Sequence, residues 1–178
     1  MKYIILLLIF FQLVGCKKED KTLNFEHIGI SLHYPSNWNR VENDHTIFGI
    51  TNNSLFDGDG SNILLQKIDS VESSYYGTNS FDEYVNSLFE FQKTNNKLLI
   101  SKKLEDVYLN KIPCKKFIAQ KEGIFSTMIQ TTFLFNYNKS YYNLILTEVI
   151  DLEDESLNRN RTILSSLELK NIESNTLL

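Results

Sequence analysis

Residues 124–150 read IFSTMIQTTFLFNYNKSYYNLILTEVI, and this stretch decides the fold. Phe125, Thr127, Ile129, Thr131, Phe133 and Phe135 recur at every second position, which puts them on one face of a strand over residues 124–137. Asn138-Lys139 interrupts the run, and strand chemistry resumes over residues 140–150. Two strands joined by two residues form an antiparallel hairpin with a tight turn. β-branched and aromatic side chains dominate both arms, as a pleated, half-buried surface requires.

Upstream, residues 113–121 read as another strand, joined to the hairpin through Glu122-Gly123. Residues 97–109 precede it as a long strand, with a turn at Asn110-Lys111-Ile112. Before this meander the period changes. Ser80-Phe81-Asp82-Glu83 is a capping box, in which Ser80 accepts from an orphan amide and Glu83 sits three residues on. Phe81, Tyr84, Val85, Leu88 and Phe89 then form an apolar stripe, so a helix is expected over residues 81–93. Earlier still, Ile28, Ile30, Leu32 and Tyr34 alternate with Gly29, Ser31 and His33 in a strand that Pro35 ends. Trp38 follows the turn Ser36-Asn37, and further strands are expected over residues 46–51 and 62–68. Downstream, the acidic residues 151–155 suit a helix N-terminus. Leu157, Leu164 and Leu167 supply a weaker stripe, and a short strand closes at residues 167–169. The order implies an α+β domain, an antiparallel β-sheet flanked by helices, over residues 25–170 with a tail at 171–178.

The chain has 178 residues, 42% hydrophobic and 22% charged, enough for a core without staples. Its net charge is −4 and it has no basic block, whereas phosphate binding draws on clustered Lys and Arg. No nucleic-acid partner is therefore expected.

The start of the chain carries an address. Lys2 is followed by the apolar run Tyr3–Phe11 and then, after Gln12, by Leu13-Val14-Gly15-Cys16. At ~1.5 Å per residue, a helix from Tyr3 to Val14 falls well short of the ~30 Å hydrocarbon core, so it suits a signal peptide better than a membrane span. Leu13-Val14-Gly15-Cys16 resembles the lipobox of bacterial lipoproteins. That resemblance implies a signal peptide at residues 1–15, acylation of the Cys16 thiol, and a lipidated tether over residues 16–24. Lys18-Glu19-Asp20 stands under two readings. It resembles the short surface-export signal of Bacteroidota lipoproteins, and four charged residues after the cysteine also make a solvated tether. With Cys16 acylated, Cys114 has no disulfide partner and is expected to be a buried small hydrophobe.

Four further segments resemble the PsbP/Mog1-like superfamily. Gly29–Trp38 resembles its strand, Tyr-Pro, turn, Trp opening, and Val107–Cys114 the hairpin before its long strands. Tyr141–Thr147 resembles its penultimate strand, and Ile163–Leu167 its closing helix segment. Lys111 stands where a turn glycine is common, and Leu167 where Phe is common. The resemblance implies an α/β/α sandwich and a non-catalytic accessory protein held near a membrane complex. It supplies no catalytic residue.

A search for chemistry finds little. His27, Ser31 and His33 would share the polar face of one strand, yet no Cys, Asp or Glu sits at ligand spacing nearby. Asp57-Gly58-Asp59-Gly60 resembles the start of a calcium loop, but the twelfth position is Ile68 rather than the bidentate glutamate. No cofactor and no metal are expected. Tyr75 and Tyr76, before Gly77, are candidate partner-binding residues on a loop, and Tyr141-Tyr142 begins a strand. The expected function is a non-catalytic, membrane-anchored lipoprotein that binds another envelope protein, in the outer membrane and at the surface if Lys18-Glu19-Asp20 is an address. The alternatives are a carrier of a lipid or sugar on the concave sheet face, and then a hydrolase using His33 with Asp57 or Asp59.

Overall fold

A computed structural model describes residues 21–42, 46–52, 61–68, 80–95, 101, 103–122, 127–149 and 154–170. Among the described residues, ten strands form two sheets and two helices accompany them. The strands are β1 (Thr22–His27), β2 (Ile30–Pro35), β3 (Asn39–Arg40), β4 (Thr46–Thr51), β5 (Asn62–Ile68), β6 (Glu105–Leu109), β7 (Ile112–Glu122), β8 (Thr127–Tyr137), β9 (Ser140–Val149) and β10 (Glu168–Leu169). The helices are α1 (Phe81–Asn95) and α2 (Asp154–Ser165). A seven-stranded antiparallel sheet runs β3-β4-β5-β9-β8-β7-β6, and a small sheet runs β1-β2-β10. The α+β class expected from the alternation holds.

The β8–β9 hairpin sits at the centre, paired from Met128↔Val149 to Tyr137↔Ser140. Asn138 and Lys139 take φ of 50° and 61°, the double positive φ that a two-residue turn needs to match strand twist. Asn110 and Lys111, at φ 47° and 70°, do the same between β6 and β7. Lys111 thus adopts the left-handed backbone for which glycine is common, and Ile112 belongs to β7 rather than to the turn.

Each face of the large sheet has its own cover. On one face, Tyr84, Val85, Leu88 and Phe89 of α1 pack on Ile68, Phe117 and Leu134. The capping box forms as read, with the Glu83 amide donating to the Ser80 hydroxyl at 3.2 Å. On the other face, Ile30, Leu32 and Tyr34 of β2 and Ile163, Leu164 and Leu167 at the end of α2 cover Phe48, Ile50, Ile63, Leu65, Phe135, Tyr142 and Leu144. Trp38 is buried in this layer, and Cys114 is free and buried there as expected.

Two expectations are corrected. The segment read as one strand from Ile28 is the second arm of a hairpin, turned at Ile28-Gly29 (φ 48° and 77°) and paired Thr22↔Pro35 to His27↔Ile30. Ile28 continues the apolar period by coincidence and is exposed at the turn. The strand expected over residues 97–109 is reduced to β6 in its described part. Ser101 lies outside any strand, and its amide and hydroxyl close onto the backbone of Ile118.

Candidate functional site

Three hollows formed by described residues lie around the β6–β7 hairpin. Two of them lie at a broken ladder. The β7–β8 pairing begins at Lys115↔Leu134, although Pro113 would next face Asn136. Ile112, paired with Leu109 across the two-residue turn, exchanges its backbone groups with β6, so Pro113 directs its own toward β8. Proline has no N–H to give there. Two hollows are lined by both Pro113 and Asn136. One, of about 270 Å³, also meets Phe81, Asp106, Tyr108 and Lys115. The other, of about 400 Å³, lies between the Asn110-Lys111 turn and β10.

The largest of these hollows, about 490 Å³, is a groove on the opposite sheet face, where the cover of α2 and the small sheet stops. Ile118, Phe133 and Leu146 make an apolar floor, Val107, Tyr108 and Leu109 of β6 form one wall, and Arg161 of α2 stands across from them. Lys116 and Glu148 complete it. Lys116 pairs with Glu105 at 2.8 Å, and Glu148 accepts from the buried Asn160 amide at 3.0 Å. Arg161 is exposed and makes no ion pair among the described residues. A small amphipathic molecule or a peptide side chain fits such a surface chemically, with an apolar floor and a guanidinium at the rim.

Charges on β6 are matched by register. Glu105 opposes Lys116 and Asp106 opposes Lys115, on opposite faces, the second pair at 2.6 Å. The Asp106 carboxylate holds the Lys115 ammonium above its ordinary pKa, chiefly through that hydrogen bond. Burial pushes the Cys114 thiol up to about 11, and the thiol donates to the Ile112 carbonyl at 3.3 Å. A thiol held protonated at neutral pH is a poor nucleophile.

Of the residues singled out in the sequence, Cys16, Lys18, Glu19, Asp20, Tyr75 and Tyr76 lie outside the described residues, as do His45, Asp57 and Asp59. His27 and His33 do not share a face. His27 lies on the inner side of β1, 6.3 Å from the Phe25 ring, whereas His33 is exposed on the outer side of β2 with its amide bonded to Ser166. The hairpin turn separates them. Tyr141 and Tyr142 are packing residues: Tyr141 lies against Phe81 and Tyr84, and Tyr142 stacks on Phe135 at 5.3 Å. No group of three His, Cys, Asp or Glu able to hold a metal occurs among the described residues. No helix among them is long and apolar enough to cross a membrane.

Sequence reasoning missed Tyr108, which is 77% exposed, and Arg161. A signal for Tyr108 existed. Val107 and Leu109 flank it in an inward period, which sends the ring outward.

No protein-family model matches the sequence, and no curated protein matches it. Solved structures do share its fold. LpqN, involved in cell envelope biogenesis of Mycobacterium tuberculosis, is similar with a TM-score of 0.53 and 14% identity, over 84% of this chain and 91% of that one. A protein of Bacteroides thetaiotaomicron is similar with a TM-score of 0.50 and 12% identity over 86% of this chain, which spans half of that protein's length. Cyanobacterial PsbP from Synechocystis sp. PCC 6803 is also a structural neighbour, with a TM-score of 0.49 and 11% identity, over 88% of this chain and 96% of that one.

Proposed function

We propose that this chain is a lipoprotein of the bacterial cell envelope, anchored through Cys16, whose single PsbP/Mog1-like domain over residues 25–170 is a non-catalytic accessory module for an envelope protein complex. The observation that carries this reading is the segment from Lys2 to Cys16, a short charged start, an apolar run too short to span a bilayer, and Leu13-Val14-Gly15-Cys16 at its end. The fold shared with LpqN, itself involved in cell envelope biogenesis, supports the location. Two or more acyl chains on Cys16 hold a protein at a membrane, where one holds it only marginally. Outer-membrane placement with surface display follows if Lys18-Glu19-Asp20 acts as an address, with Tyr75 and Tyr76 the candidate partner-binding residues.

Fractionation of cells grown with an alkyne-tagged palmitate tests the anchor. The native chain should label and sediment with membranes, and Cys16→Ala should lose the label and appear in the soluble fraction. A Cys16→Ala chain that still sediments with membranes defeats the reading.

The groove supports a second reading, a carrier of a small lipid or sugar, because its apolar floor lies beside the exposed Arg161. Native mass spectrometry of protein purified without denaturation should then find a bound small molecule that Phe133→Asp abolishes.

A further inference from the structure

We propose that β6 is a docking edge: an extended segment of a partner polypeptide pairs with it as an added strand and lowers alternate side chains into the hollows on either face. The proposal rests on the accessory reading above and gives that module its binding surface.

The backbone provides the first reason. β6 ends the seven-stranded sheet, and Leu109↔Ile112 closes a two-residue turn. Leu109, Val107 and Glu105 therefore spend their amides and carbonyls on β7, while Asp106 and Tyr108 direct theirs outward. Further along the same side of the sheet, Ser101 closes the backbone of Ile118, donating its amide at 3.0 Å and accepting at its hydroxyl at 2.8 Å. The edge is sealed there and open at β6 among the described residues.

The side chains provide the second. Open edges are usually guarded by charged side chains, lysine above all, by proline, by a bulge or by shortness. β6, Glu105-Asp106-Val107-Tyr108-Leu109, is short but carries no lysine, proline or bulge. Its two charges are engaged by β7, Glu105 by Lys116 and Asp106 by Lys115. It also exposes the aromatic ring of Tyr108.

The hollows provide the third and say what docks. The 490 Å³ groove and the 270 Å³ hollow lie on opposite sheet faces, and both are lined by Val107 and Tyr108. Side chains of an added strand point to the two faces in turn, so alternate residues enter one hollow and then the other. A second copy of β6 leaves the groove empty, because its own Val107 and Leu109 are engaged in its core. A free extended segment does, with apolar residues toward Ile118 and Phe133 and a basic residue beside the exposed Asp106 carboxylate.

The test uses the full-length chain in detergent micelles and two fluorescent octapeptides, both alternating valine with lysine or threonine. One has native amides, and the other is N-methylated at every residue, so that neither of its edges can donate. The first should bind with anisotropy saturating below millimolar concentration, and N-methylation should weaken it more than tenfold. Tyr108→Pro, which removes an outward N–H without costing a bond to β7, should weaken it as much. Tyr108→Lys, an edge guard that leaves the backbone intact, should weaken it less.

Absence of binding at millimolar peptide overturns the proposal, as does equal binding of the methylated peptide. Unchanged binding to a Tyr108→Pro chain whose circular dichroism matches the native overturns it too. So does a dimer, seen by light scattering, that Tyr108→Pro dissolves, since the occupant would then be a second copy. None of these outcomes touches the Cys16 fractionation result, so the edge can fail while the anchored module stands.

Discussion

The two faces of the seven-stranded sheet solve the same burial problem differently. One is roofed by α1, a single amphipathic helix whose stripe meets Ile68, Phe117 and Leu134. The other is roofed by a composite of β2, β10 and the end of α2, and that roof stops short of β6 and β7. A one-piece roof covers its face with local sequence and leaves the smaller hollow, of about 270 Å³, at its margin. A roof assembled from distant segments leaves an opening where its parts end, and the groove is that opening.

Phe135 and Phe133 offer the sharpest way to break this contrast, because they lie on one strand and one face. Phe135 is fully buried and stacked on Tyr142, whereas Phe133 floors the groove. Phe135→Ala should cost about 3–5 kcal/mol in urea unfolding, and Phe133→Ala less than half of that. Equal losses would show that the roof extends over both.

Cys114 probes the composite roof by pH. Its folded pKa of about 11 lies above the ordinary value of 9.0, because burial disfavours the thiolate. The sign follows from linkage: below pH 9 both states are protonated and the stability is fully present, and between pH 9 and 11 the unfolded state sheds the proton first. Roughly 2–3 kcal/mol should therefore be lost over that window, at about 1.4 kcal/mol per pKa unit. Cys114→Ala should flatten this part of the stability-against-pH curve, and an unchanged slope would refute the assignment.

Under α1 the corresponding probe is polar. The Tyr84 hydroxyl and the Asn143 side-chain amide lie 3.2–3.3 Å apart, both buried. Asn143→Ala should cost about 1–3 kcal/mol by stranding a buried group. In the double variant Tyr84→Phe/Asn143→Ala the losses should fall short of additive, and full additivity would mean that the pair is not coupled.

The smallest effect is a gain. Ile28 holds φ 48° with its side chain about half exposed, a backbone region that β-branched residues avoid. Ile28→Asn should raise stability by about 1 kcal/mol, read as a higher urea midpoint at constant slope.

What the residues disclosed tracks the same contrast. Everything local was legible: the stripe and capping box of α1, the alternation of β8, and the Asn138-Lys139 turn. Where local pattern and topology part, reading failed. Ile28 extends an apolar period through what is in fact a turn, which hid β1 and misplaced His27. In its described part the strand expected at residues 97–109 is reduced to β6, and Ser101 meets Ile118 through its own hydroxyl, a contact that no periodicity encodes. The groove was illegible for the same reason. Val107, Ile118, Phe133, Leu146 and Arg161 come from five elements, and only inter-strand register and the placing of α2 bring them together. The likeness to known folds was legible as a class, from strand order and turns.

The pairing of β2 with β10, Ile30 opposite Leu169 and Ser31 opposite Glu168, joins the two extremes of the described chain. The Asn110 side chain adds a tie to the Leu167 carbonyl at 2.7 Å. During synthesis neither contact exists until almost the last of these residues has left the ribosome, so a nascent chain cannot close its composite roof early. Such long-range closure slows folding and keeps apolar strands uncovered while it waits. The seal of the composite roof therefore waits on the last strand of the described chain.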